Sequence, residues 1–123
     1  MVKSRGFTLI ELLVVLTIIA LLLTLAMPRY FSSLDRAKVD ALRHDLATMR
    51  EAIDKYYGDN GQYPDSLSQL VEKKYLRAIP PDPLTDSPDT WVVEPPKDGQ
   101  GAVFDVRSGA RGQTADGKEY GEL

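Results

Sequence analysis

The sequence has 123 residues, a formal net charge of −3 and no cysteine. This length allows one small domain and leaves no room for a two-domain enzyme. The acidic balance argues against a nucleic-acid-binding protein, and the lack of cysteine excludes thiol catalysis, thiolate metal sites and disulfides.

The stretch Phe7–Met27 is apolar, and Glu11 is its one charged residue. As a helix rising about 1.5 Å per residue it would span roughly 31 Å, the thickness of one bilayer core. Its threonines are expected to return their hydroxyl hydrogen bonds to the helix backbone. Lys3 and Arg5 precede it and predict a cytoplasmic N-terminus, because basic residues stay on that side. We therefore expect a single-pass protein whose head lies on the far side of the inner membrane.

An ordinary secretory signal peptide is the alternative for this stretch, with Thr24 and Ala26 as the small residues before a cleavage site. Two features argue against it. The apolar stretch is longer than the usual core of roughly 7–15 residues, and a carboxylate lies near its start.

Glu11 is the most informative residue of the stretch. A carboxylate costs roughly 2.5–3.5 kcal/mol at the centre of a bilayer and less near its edge, which makes it a candidate functional residue. A side chain that reaches back to the headgroups is the simpler explanation, but it leaves Gly6-Phe7 unexplained. A cut between these two residues would give Phe7 an α-amino group one helical turn from Glu11. The two charges would then neutralise each other, within one chain or between neighbours.

The segment Lys3–Leu13 resembles the leader junction of type IV pilins and type II secretion pseudopilins. It has a short basic leader, Gly6 before the cut, Phe7 after it and Glu11 as the fifth residue of the mature chain. The resemblance implies that a prepilin peptidase removes the leader, residues 1–6, and that Phe7 is N-methylated. It also implies that Glu11 acts when the subunit leaves the bilayer and docks on the N-terminus of its neighbour.

Beyond the apolar stretch the sequence predicts an amphipathic helix over 28–57. Pro28 is expected to kink or locally unwind it, and pilin-type subunits resemble this chain in having a proline at about this point. Gly58 is expected to end the helix, and His44 to be a solvated surface residue. Apolar residues recur at helical spacing: Leu42, Leu46, Met49, Ile53 and Tyr56. This face should pack on the C-terminal part of the chain.

The head, 58–123, begins with Gly61-Gln62-Tyr63-Pro64, which looks like the Gly-x-Tyr-Pro element of pseudopilins. A short helix is predicted over 66–76, with a capping box of Ser66 and Gln69. Its buried side is expected to include Leu67, Leu70, Val71, Tyr75 and Leu76.

A proline-rich stretch, 80–96, resists regular structure and contains Asp82-Pro83, which resembles the family's link into the sheet. A hairpin follows over 91–108, with strands at 91–94 and 102–108, and a third short strand is possible near 118–122. In the second strand, Phe104 and Val106 are expected on the dry face. The fold class is therefore α+β: pilin-like, with a long N-terminal helix, membrane-spanning over 7–27, packed under a small antiparallel sheet.

A calcium site is one expectation that the resemblance raises. The major pseudopilin of type II secretion carries calcium in a loop after Ser-Leu-Gly-Ala-Asp-Gly. The nearest stretch here, 108–112, lacks the leucine and has Arg111 where a ligand aspartate would be, so we expect no cofactor. A displaced site using Asp105 and Asp116 stays open, although Asp116-Gly117 is also typical of a simple turn.

The expected function is a structural subunit that polymerises into a periplasmic pseudopilus of the type II secretion system. The resemblance implies a homo-oligomeric filament and, as partners, the prepilin peptidase, sister pseudopilins and an inner-membrane assembly platform. The alternative is a type IV pilin of a surface fibre for adhesion, motility or DNA uptake; the Gly-Gln-Tyr-Pro and Asp-Pro elements and the absence of a disulfide-closed loop favour the pseudopilin. Arg111 leaves open whether the chain is the major subunit or a divergent relative.

An enzyme is not expected from the sequence. It has no nucleophile elbow, no phosphate-binding glycine loop and no metal-ligand spacing. The carboxylates within 82–89 lie among prolines and are interpreted as solvated turn residues.

Overall fold

A long helix, α1, begins at Leu9 and ends at Asn60, a length of 52 residues. The structure, a computed structural model, describes residues 6–123, so Lys3 and Arg5 of the leader lie outside the described residues. Pro28 is inside α1, and the residues on both sides of it are helical. Of the two effects expected at this proline, local unwinding is therefore wrong for the described chain, and a kink stays a prediction.

The end of α1 lies beyond the predicted 57 and beyond Gly58, which is a helical residue. Gly61 ends the helix instead, with a φ of +72°. Its N–H donates to the carbonyl oxygen of Tyr57 at 2.8 Å. This is the left-handed position after a helix C-terminus, where glycine avoids the steric cost that a Cβ would bring.

The chain forms two compact units that divide between Asp35 and Arg36. The second, Arg36–Leu123, is called the head below. Its core is built on one face of α1, and the spacing prediction for that face is confirmed. Seven residues of α1 are buried: Val39, Leu42, Leu46, Met49, Ala52, Ile53 and Tyr56. Apolar residues from the rest of the head complete the core: Leu67, Leu70, Leu76, Trp91, Val103 and Val106.

The second helix, α2, covers Leu67–Glu72 and is shorter than the predicted 66–76. Ser66 is its N-cap, and the Ser66 hydroxyl accepts from the backbone N–H of Gln69 at 3.2 Å. The Gln69 side chain accepts from the N–H of Asp65 at 2.7 Å, one residue before the N-cap. The chain leaves the helix through Lys74, whose φ is +66°.

Two short antiparallel strands form the sheet, β1 at Val92–Glu94 and β2 at Asp105–Arg107. Val93 lies opposite Val106. The predicted strand over 102–108 is shortened because Val103 donates its N–H to the carbonyl oxygen of Pro64 at 2.9 Å and not to β1. Val103 and Val106 are both fully buried while Phe104 is 49% exposed, so the placement of Phe104 on the dry face is wrong.

The Gly-Gln-Tyr-Pro element has a structural role in this pairing. The carbonyl oxygen of Pro64 accepts main-chain N–H groups from both Ala102 and Val103. Gly101 has a φ of +92°, and a Cβ there would collide with the carbonyl oxygen of Tyr63. The element therefore brings the end of α1 against the chain that leads into β2.

The segment near 118–122 is not a strand. Residues Tyr120–Glu122 form a 3-10 turn, and a single bridge joins Gln113 to Glu119. The third strand that the sequence left open is therefore not formed in the described chain.

A buried carboxylate pairs with a hydroxyl where the proline-rich stretch meets the end of β2. Asp82 is fully buried and accepts from the Ser108 hydroxyl at 2.5 Å and from the N–H of Leu84 at 2.8 Å. Asp86 and Asp89 are exposed, as expected of turn residues. The prediction of a solvated turn residue is therefore wrong for Asp82, because its hydrogen bonds replace the water it loses.

Candidate functional site

The N-terminus of α1 is closed by a reciprocal pair of hydrogen bonds between Thr8 and Glu11. The N–H of Glu11 donates to the Thr8 hydroxyl at 3.1 Å, and the N–H of Thr8 donates to the Glu11 carboxylate at 3.4 Å. This is a capping box, which satisfies two of the N–H groups that a helix start leaves without partners. Sequence reasoning missed Thr8, although the Thr-x-x-Glu spacing is a recognised signal for this cap.

The residues predicted to flank the cut precede this cap. Gly6 and Phe7 lie outside the helix, and Phe7 is 91% exposed. A Cβ at Gly6 would meet nothing within 4 Å. The Gly6–Phe7 peptide bond therefore lies in exposed, non-helical chain just before the capped helix start, whereas Pro28 lies further along α1 and takes no part in this group.

The apolar part of α1 after Glu11 exposes large side chains all round. Leu12, Ile18 and Leu25 are each at least half exposed, and the same is true of most of their neighbours up to Met27. The helix is long and apolar enough to cross a membrane, judged by its length and composition. Thr17 and Thr24 donate their hydroxyls to the carbonyl oxygens four residues earlier, at 2.7 and 2.8 Å, as expected. Glu11 carries the one charged side chain of residues 7–27.

Asp105 and Asp116, the residues considered for a displaced calcium site, lie in different surroundings. Among residues 6–123 no group of three or more histidine, aspartate and glutamate side chains is close enough to hold a metal ion. Asp105 forms an ion pair with Arg50, the distance from Nε to Oδ1 being 2.8 Å. Asp116 and Arg111 are exposed in the loop that follows β2. Calcium chemistry requires several unopposed oxygen ligands, and a guanidinium already holds the carboxylate of Asp105.

His44 and Asp45 are neighbours on α1 that differ in exposure, since Asp45 is partly buried. His44 is exposed, as predicted. Burial raises the pKa of Asp45, and the nearby charge of Asp82 raises it further, while His44 lowers it. Asp45 is therefore a carboxylate whose charged form the folded head disfavours.

Comparison with known proteins adds to this geometry. Residues 1–27 match the prokaryotic N-terminal methylation motif, and residues 29–122 match the family of type II secretion system (T2SS) protein G. The chain belongs to the protein G family. The resemblance to pseudopilins drawn from the leader junction and from Gly-Gln-Tyr-Pro is thereby confirmed, and the pilin-like α+β architecture agrees with it.

Curated proteins named type II secretion system core protein G are similar along most of this family member. The relative from Pseudomonas aeruginosa is 34% identical over 135 residues, which cover 97% of this chain and 89% of the relative. The relative from Dickeya chrysanthemi is 30% identical over 122 residues, covering 97% and 78%. The relative from Escherichia coli is 31% identical over 122 residues, covering 86% and 81%. No solved structure matches the chain.

Proposed function

We propose that this protein G family member is the pseudopilin subunit that polymerises into the periplasmic pseudopilus of a type II secretion system. One observation carries the proposal: a methylation motif over residues 1–27 lies directly before a protein G match over 29–122. The exposed apolar surface of residues 7–27 must be shielded from water, by the bilayer before assembly and by other subunits in the filament. A type IV pilin of a surface fibre is not favoured, because the match is to the secretion family. The role is structural, and no catalytic activity is proposed.

The first step is hydrolysis of the Gly6–Phe7 bond by the prepilin peptidase. The bond precedes the capped helix, so a protease can bind it in extended form without unwinding α1. Cleavage leaves Phe7 with a free α-amino group, which then receives the methyl group. A signal-peptidase cut after Ala26 would instead fall within helical residues and remove Glu11.

The second step is assembly, in which the Phe7 amine and the Glu11 carboxylate neutralise each other. Among residues 6–123, the carboxylate accepts one weak hydrogen bond, from the Thr8 N–H at 3.4 Å. A protonated amine is a stronger partner than a neutral N–H, and the gain is larger where water is excluded. Between neighbouring subunits such pairs would align one helix against the next as the 7–27 segments bundle.

Membrane topology follows from the leader and the helix together. Lys3 and Arg5 keep the N-terminus in the cytoplasm. The apolar part of α1 crosses the inner membrane, and the head lies in the periplasm. The partners implied are further copies of this chain, sister pseudopilins, the peptidase and an inner-membrane assembly platform.

A substitution at the cut tests the proposal. Gly6→Ala adds a Cβ that meets nothing in the folded chain, so the protein should fold as before while the peptidase fails to accept it. We expect the wild-type chain to lose residues 1–6 in cells and the variant to keep them, as measured by mass spectrometry of the intact protein. Gly58→Ala is a matched control, since a Cβ there also meets nothing, and it should be processed normally. Normal processing of Gly6→Ala would contradict the peptidase assignment.

A further inference from the structure

Arg50 on α1 joins three separate oxygen atoms of the head. Its Nε donates to Asp105 Oδ1 at 2.8 Å. Its terminal nitrogen Nη2 donates to the main-chain oxygen of Val106 at 3.0 Å and to that of Leu123 at 2.8 Å. One side chain therefore links α1 both to β2 and to the last turn of the chain.

This contact differs from the other ion pair found in the described chain. Lys55 and Glu51 are one helical turn apart and exposed, at 3.3 Å. Such pairs add little to stability because water and salt screen them. Arg50 and Asp105 lie far apart in sequence and are only about one-third exposed. Their contact, together with the two main-chain bonds, fixes the tertiary arrangement of the head.

The acceptors around Arg50 are of the type that a hard divalent cation binds. One side-chain carboxylate oxygen and two main-chain oxygens converge on one positive group. The guanidinium presents its donors in a rigid planar fork, so it binds several oxygens at once. Asp105 Oδ1 also accepts the N–H of Val106 at 2.8 Å, which leaves that oxygen saturated. A metal ion at this point would meet the charge of Arg50.

The loop between β2 and Leu123 is closed by its own main chain. Thr114 donates its N–H to the oxygen of Lys118 at 2.8 Å, and Gly117 donates to that of Thr114 at 2.9 Å. Gly117 has a φ of +85°, as a tight turn requires. Tyr120 then donates back to Gly112 at 3.2 Å. These main-chain hydrogen bonds order the loop from within.

We propose that Arg50 is a built-in cation that does in this chain what a bound calcium ion would do: it ties the segment after β2 to α1, so that the head folds independently of divalent metal. The proposal concerns the head alone and stands whether or not the chain polymerises.

The test uses the full chain in detergent micelles, with emission of Trp91 as the probe. Trp91 is the one tryptophan, is buried in the head and donates its indole N–H to the oxygen of Pro80 at 2.7 Å. The wild-type melting midpoint should be the same in EDTA and in millimolar calcium chloride. Arg50→Gln should lower the midpoint by about 5–10 °C in both solutions. Lys55→Gln removes the same charge from the same helix and should melt like the wild type.

A second measurement reports the loop itself. Trypsin cleavage after Lys118 should be at least about tenfold faster in Arg50→Gln, because cleavage follows the population of the opened loop. If this variant does not fold, Arg50→Lys takes its place. A single ammonium group cannot reach all three oxygens, so cleavage should still exceed the wild-type rate.

The possible results are decisive in either direction. A wild-type midpoint that rises with calcium would overturn the proposal, because a metal would then hold the head. A midpoint and cleavage rate for the Arg50 variants equal to those of Lys55→Gln would also overturn it. Insensitivity to calcium together with a loosened loop in the Arg50 variants supports it.

Discussion

At the scale of single residues, Glu11 has two roles that its position alone does not separate. Its carboxylate completes the capping box with Thr8, and its charge is available to a cleaved Phe7 amine. A capping box is worth about 0.5–2 kcal/mol to a helix start. An uncompensated carboxylate near the hydrocarbon costs up to roughly 3 kcal/mol. The charge should therefore matter more to assembly than the cap does.

Glu11→Gln and Thr8→Val separate the two roles. Glutamine can still accept the Thr8 N–H but carries no charge, whereas valine removes the capping hydroxyl and leaves the charge in place. We expect Glu11→Gln to reduce crosslinked multimers in the cell envelope at least about tenfold, which corresponds to about 1.4 kcal/mol per contact. Thr8→Val should stay within about twofold of wild type. Equal losses in both would show that the cap, and not the charge pair, controls assembly.

Asp45 gives a prediction of pH dependence. Burial and the charge of Asp82 raise the pKa of Asp45 in the folded head, although His44 opposes them. A carboxyl group with a raised folded pKa stabilises the fold fully at pH values below about 4, and this stabilisation is lost as the pH rises through the folded pKa. At neutral pH the charged form of Asp45 therefore weakens the head slightly.

Asp45→Asn should remove this penalty. The melting midpoint, followed by Trp91 emission, should exceed that of wild type by about 1–3 °C at pH 7. The difference should vanish at pH values well below about 4, where Asp45 is protonated in both states. Asp40→Asn, at an exposed position of the same helix, is the control and should show no such pH-dependent gain. A variant that melts below wild type at pH 7 would contradict the prediction.

At the scale of elements, periodicity in the sequence predicts α1 well and the strands poorly. The apolar face from Leu42 to Tyr56 repeats over four turns, and so long a pattern leaves one interpretation. The helix end was misplaced because Gly58 and Gly61 are both plausible stops, and only the φ of +72° at Gly61 distinguishes them. Alternation over the predicted strand 102–108 misled because the N–H of Val103 bonds to the oxygen of Pro64, a contact set by tertiary structure.

The site shows the same division between local and long-range information. The Gly6-Phe7 and Glu11 pattern is contiguous, so it can be read directly, and the Thr8 cap follows from a three-residue spacing. Arg50 could not be found this way. Its partners, Asp105 and Leu123, lie more than 50 residues away and include main-chain oxygens, which carry no sequence signal.

At the scale of the whole molecule, loss of assembly through the first unit and loss of stability in the head should be independent. Within the described residues the Glu11 carboxylate accepts a hydrogen bond from Thr8, in the first unit, and every core residue of the head comes from Val39 onward. The free-energy effects of substitutions at distant sites without shared partners are expected to be additive. Assembly through the N-terminal segment and stability of the head should therefore respond to different substitutions.

Ile53→Val and Glu11→Gln, measured side by side, test this independence. Ile53 is fully packed in the core, and losing one methyl group there costs about 0.5–1.5 kcal/mol. We expect Ile53→Val to lower the Trp91 melting midpoint by about 3–8 °C while leader removal and multimer yield stay at wild-type levels. Glu11→Gln should lose multimers and keep the wild-type midpoint. The double variant should show both defects at their single-variant sizes. A multimer yield that falls with Ile53→Val alone would contradict this independence. It would mean that head stability limits assembly, because subunits with a loosened head would then fail to join the filament although their Glu11 charge is intact.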